Sequence, residues 1–150
     1  MIESVLFICT GNICRSPIAQ FELARQLPGV YVDSAGISAV VGEGVDPVME
    51  KLASGDGLST SGHIARQLTR EQFYKHDLVL AMHQMHMDWL TENYPEGRGR
   101  IRLVSHWSGG YNIPDPYKRS LAVYRLSYSS IRQCCFEWAE RLAPAGGRGY

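Results

Sequence analysis

Ser4-Val-Leu-Phe-Ile-Cys9 runs apolar from Val5 onward with no polar alternation. A strand of that kind needs cover on both faces, the situation of parallel sheets flanked by helices. The run is far too short to cross a membrane. A glycine-bearing turn follows. Ser16-Pro17 then reads as a helix start, with serine as N-cap and proline at the first helical position. Ile18, Phe21, Ala24 and Leu27 mark one helical face, and Pro28-Gly29 stops it.

The same alternation continues down the chain. Val30–Ser34 reads as a second strand and the glycine-rich stretch from Ala35 to Gly44 as a loop. Asp46-Pro47 opens a helix that ends near Ser54–Gly57, and Thr69 with Gln72 resembles a capping box. Asp77–Met82 is a third strand, followed by helix to about Asn93, and Ile101–Val104 is a fourth. Ser105 to Arg119, with two glycines and two prolines, is a long loop of the kind that often carries function. Leu121, Tyr124, Tyr128, Ile131, Cys135, Trp138 and Leu142 follow steps of three and four, the stripe of a core-facing helix. The expected fold is a three-layer α/β domain over residues 1–143. It has a central four-stranded parallel sheet, right-handed crossovers and a short flexible tail at 144–150.

Ligands of such sheets bind beyond the carboxyl ends of the strands. The first strand ends at Cys9, and Cys9-Thr-Gly-Asn-Ile-Cys-Arg-Ser16 links it to the helix. A turn in that position aims backbone N–H groups inward beside a helix N-terminus, an environment for an anion. Gly11 suits the unusual φ angles of such a nest. Arg15 adds a fork for two phosphate oxygens. A positive nest lowers a thiol pKa from its ordinary value of about 8.5 and makes Cys9 a nucleophile toward cradled phosphorus. The usual nucleotide-binding loops, GxxxxGK[ST] and GxGxxG, are absent.

The formal net charge is zero, so nothing draws the chain as a whole to nucleic acid or to an acidic membrane. No signal peptide or membrane-inserting segment is legible. Cys9, Cys14, Cys134 and Cys135 are expected as free thiols in a cytoplasmic, reducing setting. His83 and His86 lie three apart on a helix, but no cysteine or carboxylate joins them at ligand spacing. Neither a metal nor a cofactor is expected.

Val5 to Ala19 resembles the signature of the low-molecular-weight protein tyrosine phosphatases. The likeness continues through Asp33-Ser-Ala-Gly36, Gly62-His-Ile-Ala-Arg-Gln67, Asp77-Leu-Val-Leu80 and Ile113-Pro-Asp-Pro-Tyr117. His106-Trp107 ahead of the Asp-Pro-Tyr motif resembles the bacterial branch tied to exopolysaccharide and capsule production.

The resemblance implies hydrolysis of phosphotyrosine through a cysteinyl phosphate. Cys9 would be the nucleophile, Arg15 the phosphate fork and Asp115 the general acid. Thr10, Gly11, Asn12, Ile13, Cys14 and Ser16 would line the cradle, with Ser16 donating to the Cys9 sulfur. Val40 and Tyr117 would wall the substrate ring, with Val40-Val41 where animal relatives have tryptophan. Ser34 and His63 would hold Asn12 in a buried polar network. Cys14 would bridge reversibly to Cys9 under oxidation.

The implied partners are phosphotyrosine proteins, foremost a membrane tyrosine autokinase, met by a monomer or weak dimer. Three alternatives stay open on the residues. Arsenate reductases of this fold use extra cysteines, and none lies between Cys14 and Cys134. Arginine phosphatases have threonine where this chain has Ile13. A non-catalytic phosphate reader would be expected to have lost Cys9, Arg15 or Asp115.

Overall fold

The computed structural model describes residues 1–143, so the tail expected at 144–150 lies outside the described residues. Strand β1 (Ser4–Cys9) leads to helix α1 (Arg15–Gln26) and β2 (Tyr31–Gly36). Helices α2 (Pro47–Gly55) and α3 (Arg70–Lys75) precede β3 (Leu78–Ala81). Helix α4 (Gln84–Asn93), β4 (Ile101–Leu103) and α5 (Leu121–Leu142) complete the order. The strands lie side by side as β2-β1-β3-β4, and each neighbouring pair is parallel.

The unbroken apolar run of β1 is explained by its central place. Val5, Phe7 and Cys9 face a core shared with α1, α2 and α5, while Leu6 and Ile8 face a second core against α3 and α4. Strand β3 divides in the same way, with Leu78 and Leu80 on one side and Val79 and Ala81 on the other. Each fully buried Val, Leu, Ile or Phe contributes about 1.5–3 kcal/mol, so the two faces together hold β1 in register.

Because β2 and β3 flank β1 on opposite sides, the chain reverses its winding at β1. A crevice therefore opens beyond its carboxyl end. Gly36 ends β2 directly opposite Cys9. A Cβ at Gly36 would collide with the Thr10 carbonyl oxygen, so only glycine lets β2 approach the loop this closely.

Several local expectations meet their reasons here. Asp46 caps α2 by accepting from the amides of Val48 and Met49, and Thr69 caps α3 by accepting from Gln72. Three others are corrected. The N-cap of α1 is Cys14, without a side-chain bond, and Pro17 sits past the first helical position, because the Ser16 hydroxyl is engaged elsewhere. The buried face of α1 is Ile18, Ala19, Glu22, Leu23 and Leu27, with Phe21 and Ala24 only half-buried.

Glu22 explains that shift of face. Its carboxylate is fully buried yet accepts from Arg132 Nε at 2.6 Å and from Arg25 at 2.8–3.1 Å. A charge can sit in the core only when paired and hydrogen-bonded. A stripe drawn from apolar residues alone omits it. On α5, Leu121 is exposed at the first turn, and Ser127, Cys134 and Ala139 deepen the buried stripe instead. Cys135 is fully buried and packs in the core, as its place on the stripe suggested.

Candidate active site

Residues Cys9 to Ser16 wrap around the end of β1. Cys9 Sγ lies 2.8 Å from Ser16 Oγ. Ser16 Oγ also accepts from Asn12 Nδ2 at 2.8 Å, which leaves the hydroxyl hydrogen for the sulfur. Asn12 Nδ2 further donates to Ser34 Oγ at 3.0 Å, and Asn12 Oδ1 accepts from the Arg66 amide at 3.0 Å. Ser34 in turn donates to Gln20 Oε1 at 2.5 Å. His63 Nε2 lies 2.7 Å from the Asn12 carbonyl oxygen, a partner that can only accept, so Nε2 carries the proton. Burial, aided by the Arg66 charge, lowers the His63 pKa and keeps the ring neutral at pH 7.

This network explains the backbone. Asn12, not Gly11, takes the positive φ of the loop, at 59°. Asparagine is among the few residues that enter this region at low cost, and here its side chain is bonded at both ends. The expected role of Gly11 is corrected accordingly. A Cβ there would meet Val40 and Ile13 only in ordinary van der Waals contact, and the Val40 amide donates to the Gly11 carbonyl at 3.0 Å.

Arg15 begins α1 and is 3% exposed. Its Nη1 donates to the Ile113 carbonyl at 3.0 Å, and its Nη2 lies 3.7 Å from Asp115 Oδ2. Its Nε is buried with no hydrogen-bond partner among the described residues. One nitrogen of the fork is thus pinned by the backbone, and another faces the Asp115 carboxylate.

The loop before α5 is tied in at Ile113, which is fully buried and donates its amide to the Met82 carbonyl at 2.8 Å. Asp115 projects into solvent from this anchor. Its Oδ1 accepts from the Tyr117 amide at 3.2 Å while Oδ2 faces Arg15. An Asp-Pro turn starter and a carboxylate aimed at the cradle are therefore one residue. Tyr117 is largely exposed beside it.

The cysteines differ in setting. Cys14 is buried within the cradle, and burial, reinforced by Asp46, pushes its thiol well above the ordinary value. All four cysteines are unbridged. His83 caps α4 by accepting from the Met85 amide, whereas His86 turns inward toward Thr10, so the two do not converge. Among the described residues no three His, Cys, Asp or Glu side chains gather to hold a metal ion.

The structure adds residues that the sequence reading did not place at the site. Gln20 and Arg66 complete the Asn12–Ser34 network. Asp46 was read only as a helix start, yet its amide donates to the Ile13 carbonyl at 2.8 Å and its carboxylate accepts from Tyr124 Oη at 3.0 Å. A signal existed for His86, a polar residue four before Leu90 on an otherwise apolar helix face.

Residues 4–146 match the family model described as low molecular weight phosphotyrosine protein phosphatase. Wzb of Escherichia coli strain K12, named a low molecular weight protein-tyrosine-phosphatase, is 40% identical over 142 residues, covering 95% of this chain and 97% of the relative. The crystal structure of the Erwinia amylovora tyrosine phosphatase AmsI superposes with a TM-score of 0.92 at 35% identity, covering 96% and 95% of the two chains. The YwlE arginine phosphatase from Geobacillus stearothermophilus superposes with a TM-score of 0.86 at 33% identity, covering 93% and 92%. With its parallel sheet, its loop after β1 and a match spanning nearly every described residue, this chain belongs to the low molecular weight phosphotyrosine protein phosphatase family.

Proposed function

We propose that this protein hydrolyses phosphotyrosine in two steps on the Cys9 sulfur. The observation that carries the reading is the pairing of Cys9 Sγ, 2.8 Å from Ser16 Oγ, with a buried Arg15 whose Nε has no hydrogen-bond partner among the described residues. An orphaned buried guanidinium N–H is costly, and a tetrahedral dianion in the crevice satisfies it.

In the first step Cys9 Sγ attacks phosphorus and the bond to the tyrosine oxygen breaks. Asp115 gives its proton to the departing phenolate. The loop amides and the Arg15 guanidinium hold the charge of the three equatorial oxygens. In the second step the Asp115 carboxylate takes a proton from water as water attacks phosphorus. The P–S bond breaks, inorganic phosphate leaves, and the Ser16 hydroxyl stabilises the departing sulfur anion. No metal is needed for these steps.

Val40 and Tyr117 are exposed and Ile13 is half-buried, and on this reading they form the rim, where their apolar surfaces suit an aromatic ring. This favours tyrosine over arginine, as does isoleucine at the position where the arginine phosphatases have threonine. The physiological substrate we infer is a membrane tyrosine autokinase linked to exopolysaccharide production, met in the cytoplasm by a monomer or weak dimer. Four unbridged cysteines suit a reducing compartment. Among the described residues no helix is long and apolar enough to cross a membrane.

The test is hydrolysis of para-nitrophenyl phosphate and of phosphotyrosine and phosphoarginine peptides in the presence of a chelator. Wild type turns over the aryl esters, and Cys9→Ser loses at least about a thousandfold. Equal, slow rates for the two proteins would end the enzymatic reading. A clear preference for phosphoarginine would end the tyrosine assignment.

A further inference from the structure

Thr10 follows the nucleophile on β1, and His86 lies on α4, which follows β3. The strands that precede them, β1 and β3, are parallel neighbours in the sheet. His86 Nε2 and Thr10 Oγ1 are 2.9 Å apart. His86 is fully buried, four residues before the equally buried Leu90, a face that α4 otherwise fills with apolar side chains. Nothing in core packing calls for an imidazole there, and the partner it meets is the hydroxyl beside Cys9.

The tautomer follows from what the ring lacks. His86 Nδ1 is buried with no hydrogen-bond partner among the described residues. A proton on Nδ1 would be an orphaned buried donor, which folded proteins almost never tolerate, whereas a bare lone pair is the lesser penalty. The proton therefore sits on Nε2 and is donated to Thr10 Oγ1. Burial, then the neighbouring charges of Arg15 and His83, lowers the His86 pKa to about 3, so the ring stays neutral throughout the working range. Because Thr10 Oγ1 accepts from His86 and makes no other hydrogen bond among the described residues, its own hydrogen has no acceptor there. Thr10 is half-buried, so that hydrogen is open to a ligand.

We propose that His86 is a positioning residue: it locks the Thr10 side chain so that the Thr10 hydroxyl offers one further donor to the anion in the cradle. The inference deepens the phosphatase reading and rests on it for the identity of the anion. Arg15 and the loop amides belong to one segment, and the Arg15 guanidinium is braced from outside it by the Ile113 carbonyl. The Thr10 hydroxyl is set by a histidine of α4, 76 positions along the chain.

Inorganic phosphate is the probe, followed both by calorimetric binding and by competitive inhibition of para-nitrophenyl phosphate hydrolysis. His86→Leu fills the space without donating, and Thr10→Val removes the hydroxyl. Each is expected to weaken phosphate binding about tenfold, or ~1.4 kcal/mol, the scale of one hydrogen bond to a charged group. KM should rise with it, and kcat should fall less than KM rises. His86→Gln, which returns an N–H near the Nε2 position, should recover most of the affinity, and Thr10→Ser should stay close to wild type. The double variant Thr10→Val/His86→Leu should be no weaker than Thr10→Val alone, because the histidine acts only through the hydroxyl.

The proposal is overturned if His86→Leu leaves phosphate binding unchanged, if His86→Gln binds no better than His86→Leu, or if the two losses multiply in the double variant. Calorimetry separates this from the function itself. A wild type that binds phosphate but turns nothing over sinks the phosphatase reading alone, while an active enzyme with His86-independent binding sinks this inference alone.

Discussion

The cradle from Cys9 to Ser16 and the loop around Asp115 meet at one point, yet they are built in opposite ways. In the cradle, Asn12, Arg15 and Ser16 are buried, and the Asn12 and Ser16 side chains are hydrogen-bonded within the protein. The Asp115 loop is anchored by Ile113 and closed by a bond from the Arg119 amide to the Pro116 carbonyl, but Asp115, Tyr117, Lys118 and Arg119 are exposed. On the proposed mechanism this contrast has a reason: a nucleophile gains from a preorganised setting because developing charge finds its donors already in place. A proton donor that must later release the same proton to product, and then serve water, gains from contact with solvent.

The comparison breaks first at Asn12. Asn12→Ala places alanine at φ 59° and strips three side-chain hydrogen bonds from a buried site. A stability loss of about 3–4 kcal/mol is expected, with activity lost alongside, as read by urea unfolding and turnover. Retained activity at normal stability would show that the cradle does not depend on its network. Asp115→Asn should do the reverse. On a phosphotyrosine peptide kcat should drop about a hundredfold with KM nearly constant and unfolding unchanged. The loss on para-nitrophenyl phosphate should be smaller, because that leaving group needs a proton less. Equal losses on both substrates would argue against an acid role.

Glu22 tests the footing of the cradle on α1. Burial pushes its carboxyl up, but hydrogen bonds from Arg132 and Arg25 outweigh that and hold it below the ordinary 4.5. A carboxyl depressed in the folded state contributes stability that is complete above its unfolded pKa and is lost as pH falls through the folded one. Glu22→Gln should therefore cost about 2 kcal/mol at pH 7, since both arginines keep some solvent, and the gap to wild type should close as pH drops below 4.5. A gap independent of pH would assign the effect to packing. The smallest effect belongs to the exposed loop. Lys118 also has φ 59°, with no side-chain network to hold it there. Lys118→Gly should raise stability by about 0.5 kcal/mol in thermal unfolding. A fall instead would mean that the Lys118 contact with the Tyr117 ring outweighs the backbone strain.

Much of this architecture was legible in advance because it rests on local rules. The central place of β1 shows in a run with no polar gap, the start of α2 in Asp46-Pro47, and α5 in its three-and-four stripe. The cradle was legible because strand end, turn and helix start are contiguous, so Cys9, Asn12, Arg15 and Ser16 arrive together. Local reading failed where a polar group takes an apolar position. Ser16 left its expected cap for Cys9, Glu22 entered the core, and His86 took a core-facing place on α4.

The amino-acid order by itself determined the strands, the helices and the anion-binding turn, since each follows from neighbours within a few residues. Only the tertiary structure decided which distant groups complete the site. Ile113 reaches Arg15 across 98 positions, Arg132 reaches Glu22 across 110, and His86 reaches Thr10 across 76. Such bonds form only after the sheet has set its strand order, because a hydrogen bond or an ion pair acts over a few ångströms and carries no trace in the spacing of the chain.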